Sequence, residues 1–408
     1  MGTAFWRSLF VRGKEMYDLC IIGAGASGMA SAITAKMNNE KLRIVILEKN
    51  DEVGKKLLAT GNGRCNLSNQ SCPEFRETLA FFEKIGVLTK IEEGGRIYPY
   101  AEEAKEVVKA MAFQLDALGI EVKTGFEVTE VLKQGLFVIK GAKGEEVESS
   151  KLVIAAGGKA GPAYGTTGDA YSWAKKLGHK VTRLAPALSP IEVVEDFSKL
   201  KGIRQDVRLS LYKKGNMIAI EEGQLQLTDY GLSGICSFNL TRFLEVEDGE
   251  DVSEALSNYR IYVDFMPELD DEQVIEILTE RQEMRGAKGL ELFRSLLKEA
   301  LILDIFEKAK IDPETYAEDL TRNDIEKLAF LVKNWACNVK NVKGWKDAQV
   351  TKGGVSLDEI NLWTMESNLV KDLFFTGEVI DYDGPCGGYN LQNAWESAIK
   401  AGEFIAGV

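Results

Sequence analysis

A glycine-rich turn near the start of the chain limits most strongly what this sequence can fold into. The apolar segment 17–22 leads into Gly23-Ala24-Gly25-Ala26-Ser27-Gly28, and residues with small side chains follow. Glycine at position 23 permits a tight turn, Gly25 lets the backbone approach a pyrophosphate, and Gly28 lets the next helix pack on the strand. The helix N-terminus adds free N–H groups and a positive dipole end. The pattern indicates a strand–turn–helix unit for a phosphate-bearing nucleotide.

A second strand pattern supports this interpretation. The segment 42–47 is apolar and ends in Glu48, which comes 20 residues after Gly28. An acidic side chain at this distance contacts a ribose hydroxyl in dinucleotide-binding domains. An ordinary glycine turn between two strands is the alternative, but the position of Glu48 favours a dinucleotide site.

Composition limits the class of protein. The chain has 408 residues, 45% hydrophobic and 28% charged, which suffices for two or three globular domains. Its net charge of −13 disfavours general binding to nucleic acid or to anionic membranes. The six cysteines lack C-x-x-C spacing, and the single histidine, His179, excludes a His-based metal site. We therefore expect a reducing compartment and no metal.

Residues 1–15 are interpreted as a loosely attached N-terminal extension. Arg7 and Arg12 interrupt its apolar residues, and no small-residue cleavage site follows. The segment is too short and too charged for a signal peptide or a membrane span. No other stretch has the length of uninterrupted apolar sequence that a membrane span needs. We expect a cytoplasmic protein with no membrane partner.

The segment 49–69 has a composition suited to wrapping a phosphate-bearing ligand. Its glycines permit close approach of the backbone, and Lys49, Lys56 and Arg64 can neutralise negative charge. A solvated surface loop is the alternative.

Strand and helix patterns predict a mixed α/β fold. Up to residue 190, strands alternate with helices predicted over 73–85 and 101–118, which is typical of a mainly parallel sheet. Strand alternation followed by helical periodicity then predicts an inserted domain over 191–345. Its β-rich part covers 191–268 and its helical part 269–337.

The last part of the chain returns to the strand–glycine–helix pattern. The strand 373–376 runs into Gly377-Glu378, and the glycine-rich loop 383–388 precedes an alanine-bearing helix. An extended FAD needs such a loop for its isoalloxazine end, far in sequence from the residues that bind its ADP end. The sequence therefore predicts that residues 16–190 and 346–408 form one FAD-binding domain.

Several longer strings make the chain resemble a known family. It resembles the aminoacetone oxidase-like (BaiN/YhiN-type) NAD(P)/FAD-dependent oxidoreductases from about Met16 to the end. The matching strings are G-A-G-A-S-G-M (23–29), L-A-T-G-N-G-R-C-N-L-S-N (58–69), A-A-G-G (155–158), G-T-T-G-D (165–169), L-T-D-Y-G-L-S-G (227–234), V-T-K-G-G-V (350–355), T-M-E-S (364–367) and F-T-G-E-V-I-D-Y-D-G-P-C-G-G-Y-N-L-Q (375–392).

The resemblance implies a glutathione-reductase-like FAD-binding Rossmann domain, interrupted by a β-barrel-like insert and a small helical insert. One branch of the family is linked to reduction of unsaturated bile-acid rings, and an older label suggests amine oxidation. Together with the patterns above, it gives the residues expected to contact FAD: Gly23, Gly25, Ala26, Ser27, Gly28, Glu48, Lys49, Lys56, Thr60, Gly61, Asn62, Gly63, Arg64, Cys65, Asn66, Ala156, Gly157, Gly377, Glu378, Asp383, Gly387, Gly388, Tyr389, Asn390, Leu391 and Gln392.

Four residues are candidates for proton transfer beside the flavin: Tyr98, Asp229, Tyr389 and Arg64. Because flavin carries the redox step, the protein must hold the substrate against flavin N5 and supply a proton. The common family form has histidine where this chain has Asp229, which would be a weaker proton donor at neutral pH unless it is buried. Cys65 is interpreted as a small buried residue in preference to a redox thiol.

Three functions fit these residues. The leading one is reduction of an apolar conjugated C=C or C=O substrate by hydride from NAD(P)H, a transient donor, through flavin N5. The second is an amine oxidase that uses dioxygen. The third is a flavin-binding protein associated with RNA, against which the acidic net charge argues. We therefore expect a small-molecule substrate and no nucleic-acid partner; the oligomeric state stays open.

Overall fold

The computed structural model describes residues 16–247 and 249–408, so the predicted extension over 1–15 lies outside the described residues. Residues up to Thr182 together with Gly353–Val408 form one compact unit, and Arg183–Lys352 form a second. The inserted domain predicted over 191–345 falls within the second unit and stays a prediction.

The first segment of the first unit alternates strands and helices, as the periodicity predicted. Its strands are β1 (Met16–Ile22), β2 (Ile44–Leu47), β3 (Ser68–Asn69), β4 (Thr89–Ile91), β5 (Arg96–Pro99), β6 (Glu121–Lys123), β7 (Val128–Gln134), β8 (Leu136–Gly141) and β9 (Glu146–Ile154). Its helices are α1 (Ala26–Asn38), α2 (Phe75–Lys84), α3 (Ala104–Ala117) and α4 (Asp169–Lys176). The helices predicted over 73–85 and 101–118 are confirmed with slightly shorter bounds.

A mainly parallel sheet forms the centre of this unit. Strand β1 lies between β2 and β9 and is parallel to both, with β6 beyond β2. The antiparallel strands β8 and β7 extend the sheet from the first half of β9. Leu19 and Ile21 are fully buried, as expected for a strand that is covered on both faces.

The second unit has eight strands and five α-helices among the described residues. The strands are β10 (Ala185–Ala187), β11 (Ile191–Val193), β12 (Arg204–Lys213), β13 (Asn216–Leu227), β14 (Gly231–Ser233), β15 (Tyr259–Asp264), β16 (Trp335–Val342) and β17 (Val350–Lys352). The helices are α5 (Ile235–Leu240), α6 (Val252–Ser257), α7 (Asp271–Gln282), α8 (Glu299–Ala309) and α9 (Arg322–Lys333).

Six of these strands close into a barrel in the order β11-β14-β13-β12-β15-β16. Along β12, Val207, Leu209 and Leu211 are buried and alternate with more exposed polar residues, as in other small barrels with a filled interior. The β-barrel-like insert implied by the resemblance is confirmed.

The helical part of this unit differs from the predicted range 269–337 at its end. Capping boxes begin α7 at Asp270 and α9 at Thr321. Helix α9 ends at Lys333, and Trp335 already belongs to β16. Trp335 is fully buried. The apolar residues at the end of the predicted helical range therefore belong to a barrel strand that packs on the core, and not to the face of a helix. The short helices α5 and α6 lie within the range predicted to be β-rich.

The final segment of the chain completes the first sheet. Strand β18 (Leu373–Phe375) pairs in parallel with β9, so that Leu373 lies opposite Leu152. Helix α10 (Tyr389–Ala406) packs on α1, and a Cβ atom at Gly402 would lie 2.7 Å from Cβ of Thr34. None of the helices in the described part of the chain is long and apolar enough to cross a membrane.

Candidate flavin site

Glycine determines the geometry of the turn between β1 and α1. Gly23 has φ +104°, and a Cβ atom there would lie 2.6 Å from the carbonyl oxygen of Ala155. A Cβ atom at Gly28 would overlap the carbonyl oxygen of Gly23. At Gly25, by contrast, a Cβ atom would meet nothing within 4 Å. The first and third glycines therefore allow close packing, and the second leaves an open cradle at the helix N-terminus.

Glu48 braces this turn from the end of β2. Its buried carboxylate accepts a 2.7 Å hydrogen bond from the backbone N–H of Ala24 through Oε2. Its Oε1 accepts hydrogen bonds from the backbone and side-chain nitrogens of Asn50 at 2.8 and 2.7 Å. Each carboxylate oxygen can accept two hydrogen bonds, so Oε2 retains capacity for a ribose hydroxyl.

Residues 60–66 form a compact turn with unusual backbone angles. Gly61, Asn62 and Gly63 are successively left-handed, with φ of 57°, 55° and 83°. The backbone N–H of Cys65 donates to the carbonyl of Thr60 at 3.0 Å and closes the turn. Asparagine tolerates this region better than most residues, which explains why the Gly-Asn-Gly string occurs here.

The Cys65 thiol is buried at the end of this turn, and burial raises its pKa to about 12. The thiol is therefore protonated at neutral pH, which makes it a poor nucleophile.

The two predicted lysines form contacts with loops at the ends of neighbouring strands. Lys49 Nζ lies 2.7 Å from Thr167 Oγ1 and 2.9 Å from Asp169 Oδ2. Lys56 Nζ lies 2.6 Å from Glu378 Oε2 and donates to the carbonyl of Ala160 at 3.0 Å. Both lysines thus brace the site, since each is bonded to an acidic side chain.

Two further glycines bring the remaining loops close. Gly157 is left-handed, with φ +73°, and a Cβ atom there would lie 2.9 Å from Thr166 Cγ2. Gly377 is left-handed as well, and a Cβ atom on it would overlap the hydroxyl of Ser27 in the first turn of α1. The end of β18 therefore reaches the glycine turn at the beginning of the chain.

The loop before α10 is held against β3. Gly388 has φ +104°, and a Cβ atom there would overlap the backbone of Ser68. The Asn390 amide accepts from the backbone N–H of Gly384 and donates to its carbonyl, each at 2.8 Å. This bracing fixes the path of the chain over the N-terminus of α10, where Tyr389, Leu391 and Gln392 lie in the first turn.

Two buried polar atoms of this loop region have no partner in the described chain. They are Nε2 of Gln392 and Oδ1 of Asn66. The other amide atom of Gln392 accepts a 2.7 Å hydrogen bond from Ser68 Oγ. Since an unpaired buried polar atom costs about 1–3 kcal/mol, a ligand with polar edges fits here. The pyrimidine ring of flavin has both donors and acceptors, and the open cradle at Gly25 suits its pyrophosphate.

The hydroxyl of Tyr389 donates into the protein. It lies 2.7 Å from Ser71 Oγ, which itself donates to Oδ1 of Asn69 at 2.8 Å. Because the single proton of the Ser71 hydroxyl is used in that bond, Tyr389 must be the donor to Ser71. The Asn69 amide nitrogen donates to the carbonyls of Gly94 and Gly387, which fixes its orientation. Sequence reasoning missed Ser71 and Asn69, although Asn69 ends the diagnostic L-S-N string.

Tyr98 lies against the 60–66 turn and contacts Arg64, which belongs to that turn. Tyr98 is 7% exposed, and a Cβ atom at Gly61 would lie 3.6 Å from Cε1 of its ring. The guanidinium carbon of Arg64 is 4.1 Å from the ring centroid. The same guanidinium lies 2.7 Å from Glu92 and 2.8 Å from Glu102. Within the described chain, the Tyr98 hydroxyl makes no hydrogen bond, so it remains available to a bound ligand.

Asp229, the fourth candidate for proton transfer, lies in the second unit. Its carboxylate is half-exposed and 2.7 Å from Lys201 Nζ. The hydrogen bond with Lys201, and then the lysine charge, hold the pKa of Asp229 below its ordinary value. The group is therefore ionised at neutral pH.

The second unit also contains an open polar cavity of about 1250 Å³, whose lining includes Arg208, Tyr212, Arg260 and Tyr262. None of the residues predicted from the sequence to form the site lines this cavity. The predicted cofactor residues instead lie in the first unit, in the loops after β1, β2, β9 and β18, in the 60–66 turn and at the start of α10.

These observations define an FAD-dependent oxidoreductase with a Rossmann-type FAD-binding domain. The chain matches the family model described as HI0933-like protein Rossmann domain over residues 17–76 and 74–404, and it belongs to this family.

Two kinds of curated relative are similar to the chain over almost its full length. A 3-dehydro-bile acid delta(4,6)-reductase of Clostridium scindens is 34% identical, covering 96% of this chain and 99% of the relative. A ribosomal RNA dihydrouridine synthase of Escherichia coli is 26% identical, covering 94% of this chain and 96% of the relative. Among solved structures, 3-ketosteroid-delta4-(5alpha)-dehydrogenase from Rhodococcus jostii matches 98% of this chain and 99% of its own, with a TM-score of 0.48 and 14% identity.

Proposed function

We propose that this protein saturates a carbon–carbon double bond conjugated to a carbonyl group, with NAD(P)H as the reductant of its bound FAD and Tyr98 as the proton donor. The observation that carries the proposal is the available hydroxyl of Tyr98, whose ring contacts both Gly61 of the 60–66 turn and the Arg64 guanidinium. Bound FAD, reduced by NAD(P)H, supplies the hydride.

Saturation of a conjugated double bond requires one hydride and one proton. The hydride adds to the β-carbon of the conjugated double bond, and the α-carbon, which is bonded to the carbonyl group, then takes a proton. A tyrosine hydroxyl can supply this proton if a nearby cation stabilises the phenolate that it leaves. Arg64 provides that positive charge over the Tyr98 ring, and water returns the proton to the phenolate.

Tyr98 suits this role better than the other candidates. The Tyr389 hydroxyl is committed to Ser71, and that chain of hydrogen bonds ends at the Asn69 amide, which has no acidic proton to pass on. Asp229 is held as a carboxylate by Lys201. Arg64 stays charged at any physiological pH and therefore acts as an electrostatic group.

The names of both kinds of relative support the chemical class of the reaction. A 3-dehydro-bile acid delta(4,6)-reductase acts, by its name, on ring double bonds conjugated to a ketone. A dihydrouridine synthase forms, by its name, the saturated ring of uridine, in which the reduced bond is also conjugated to a carbonyl. We place a small steroid-like enone first, because the relative at 34% identity carries that name and the net charge is −13.

Uridine in RNA is the second candidate substrate. The relatives of Escherichia coli and Haemophilus influenzae that are named ribosomal RNA dihydrouridine synthases, each 26% identical, favour it. The six free thiols are consistent with a reducing, cytoplasmic compartment for either substrate.

Anaerobic rapid-mixing absorbance of the FAD-loaded protein tests the proposal. We expect NADH or NADPH to bleach the flavin, and a 3-oxo-Δ4,6 bile acid to restore its colour. Tyr98→Phe should slow the second step by about a hundredfold and leave the first unchanged. Tyr100→Phe is the matched control, since Tyr100 is 70% exposed and lies two residues further along the chain.

Other outcomes would identify a different function. If only uridine-containing RNA restores the colour of the oxidised flavin, the substrate is uridine in RNA and not a steroid-like enone. Bleaching by amines but by neither nucleotide would contradict reduction and support the oxidase alternative. Equal rates in Tyr98→Phe and the wild type would remove Tyr98 from the reaction.

A further inference from the structure

Four charged side chains form a closed ring of ion pairs beside Tyr98. Arg64 contacts Glu92 and Glu102 at 2.7 and 2.8 Å through one terminal nitrogen. Lys90 contacts the same two carboxylates, Glu92 at 3.4 Å and Glu102 more closely. We call these four residues the Arg64 ion-pair ring. Its two positive and two negative charges sum to zero.

Stability alone does not account for this ring. Its side chains are 30% to 41% exposed, and a single ion pair at such a position contributes little to folding. Glu102 moreover has a left-handed backbone, with φ +55°, which is unfavourable for a residue with a Cβ atom. Residues with such backbone angles cluster at functional positions, and this one places its carboxylate on the guanidinium that contacts Tyr98.

The ring holds Arg64 in one place relative to Tyr98. Lys90 is the cross-strand partner of Tyr98 in the β4–β5 pair, so the ring is tied to the strand that carries the tyrosine. Arg64 belongs to the 60–66 turn, whose Gly61 lies against the edge of the same aromatic ring. Nε of Arg64 is buried and has no partner among the described residues. The guanidinium is therefore oriented by its contacts with Glu92 and Glu102.

We propose that Glu92 and Glu102 are positioning residues that hold the Arg64 guanidinium over Tyr98. The guanidinium in turn aligns the Tyr98 hydroxyl for proton delivery to the substrate. This inference rests on the proposed function of Tyr98. The Arg64 guanidinium, 4.1 Å from the centroid of the Tyr98 ring, supplies the positive charge that stabilises the phenolate when Tyr98 gives up its proton. The carboxylates keep the guanidinium stacked through this change.

Isosteric substitutions test the proposal in the FAD-loaded protein. Glu92→Gln and Glu102→Gln should each lower the rate of substrate reduction by about tenfold, because misplacement of a catalytic group is costly. The rate of flavin reduction by NAD(P)H and the affinity for FAD should not change. Glu106→Gln is the matched control: it removes a carboxylate from an exposed ion pair with Lys109, on α3 and outside the ring.

A double-mutant cycle tests whether the carboxylates act through Tyr98. In the Tyr98→Phe background, Glu92→Gln should cause no further loss in the rate of substrate reduction. A full tenfold loss in that background would overturn the proposal, because the carboxylate would then act independently of Tyr98.

Nuclear magnetic resonance of protein labelled at tyrosine gives a readout that does not depend on turnover. The Tyr98 ring signals, assigned by their loss in Tyr98→Phe, should move in Glu92→Gln and Glu102→Gln and stay in place in Glu106→Gln. Unchanged signals in both ring variants would overturn the proposal. If the Tyr98→Phe variant reduces the substrate at the normal rate, the proposed role of Tyr98 as proton donor is wrong. The movement of the Tyr98 signals would still show whether Glu92 and Glu102 position the Tyr98 ring.

Discussion

Lys56 Nζ lies 2.6 Å from Glu378 Oε2, although 322 residues separate them in the chain. Both side chains are largely buried, at 25% and 19% exposure, so removing either one leaves the other charge poorly solvated and without this ion pair. Lys56→Met and Glu378→Gln should each lower the free energy of unfolding by about 1–2 kcal/mol, and the double variant by less than their sum. Urea denaturation of the four proteins measures this coupling.

The exposed pair Lys109–Glu106 provides the control for that cycle, with side chains 59% and 46% exposed. Its coupling energy should stay below about 0.5 kcal/mol. Equal coupling in the two pairs would contradict a special role for burial at the flavin site.

Gly28 and Gly25 should fail in different ways when replaced by alanine. A Cβ atom at Gly28 would overlap Gly23, so Gly28→Ala should lower the free energy of unfolding by about 1–3 kcal/mol or more. At Gly25 the space is open, so Gly25→Ala should cost less than about 1 kcal/mol and should weaken FAD binding at least about tenfold. Denaturation and flavin titration separate the two effects; normal FAD affinity in Gly25→Ala would contradict the cradle.

His179 should make stability fall at mildly acidic pH. The residue is 4% exposed, Nε2 lies 2.7 Å from Ser367 Oγ, and burial lowers the pKa of the imidazole below 6.5. The folded state therefore binds fewer protons than the unfolded state below that pH, so the stabilising contribution is present above about pH 6.5 and lost below it.

The chain contains one histidine, which makes this effect easy to isolate. Thermal unfolding at about pH 7.5 and about pH 5.5 should give a lower midpoint at the acidic pH. The difference should shrink in His179→Gln. An equal difference in both proteins would assign the pH dependence to carboxylates instead.

Cys65 should be unreactive in the folded protein. Its pKa of about 12 keeps the thiol protonated, and the side chain is fully buried. At about pH 8, a thiol-specific reagent should label the half-exposed Cys386 much faster than Cys65, as measured by peptide mapping. Cys65→Ser should retain flavin reduction by NAD(P)H; loss of that step would instead support a redox role for the thiol.

Some features of the site can be predicted because glycine marks positions where the backbone has a positive φ or where no Cβ atom fits. Gly23, Gly61 and Gly388 all have positive φ, and neighbouring atoms leave no room for a side chain at Gly23 or Gly388. Such demands act within a few residues, so the strings around them are readable without a structure. Glu48, which directly follows β2, could be predicted in the same way, because its distance from Gly28 is read within one short segment.

The contacts among side chains distant in sequence could not be predicted in this way. Composition favoured Lys56 as a residue that neutralises phosphate charge, and the fold gives it Glu378 as a partner. Sequence reasoning named Tyr389 and Tyr98 equally, and only their hydrogen bonds distinguish them.

The sequence alone determined the dinucleotide turn, the alternation of strands and helices, and the family, because each is encoded by short strings and by periodicity. The tertiary structure decided how the barrel closes, which residues surround Tyr98, and where the carboxylates of the Arg64 ion-pair ring lie. Those properties depend on the distances between segments far apart in the chain. Such distances are set by the packing of the whole sheet and its loops and not by any local preference of the backbone.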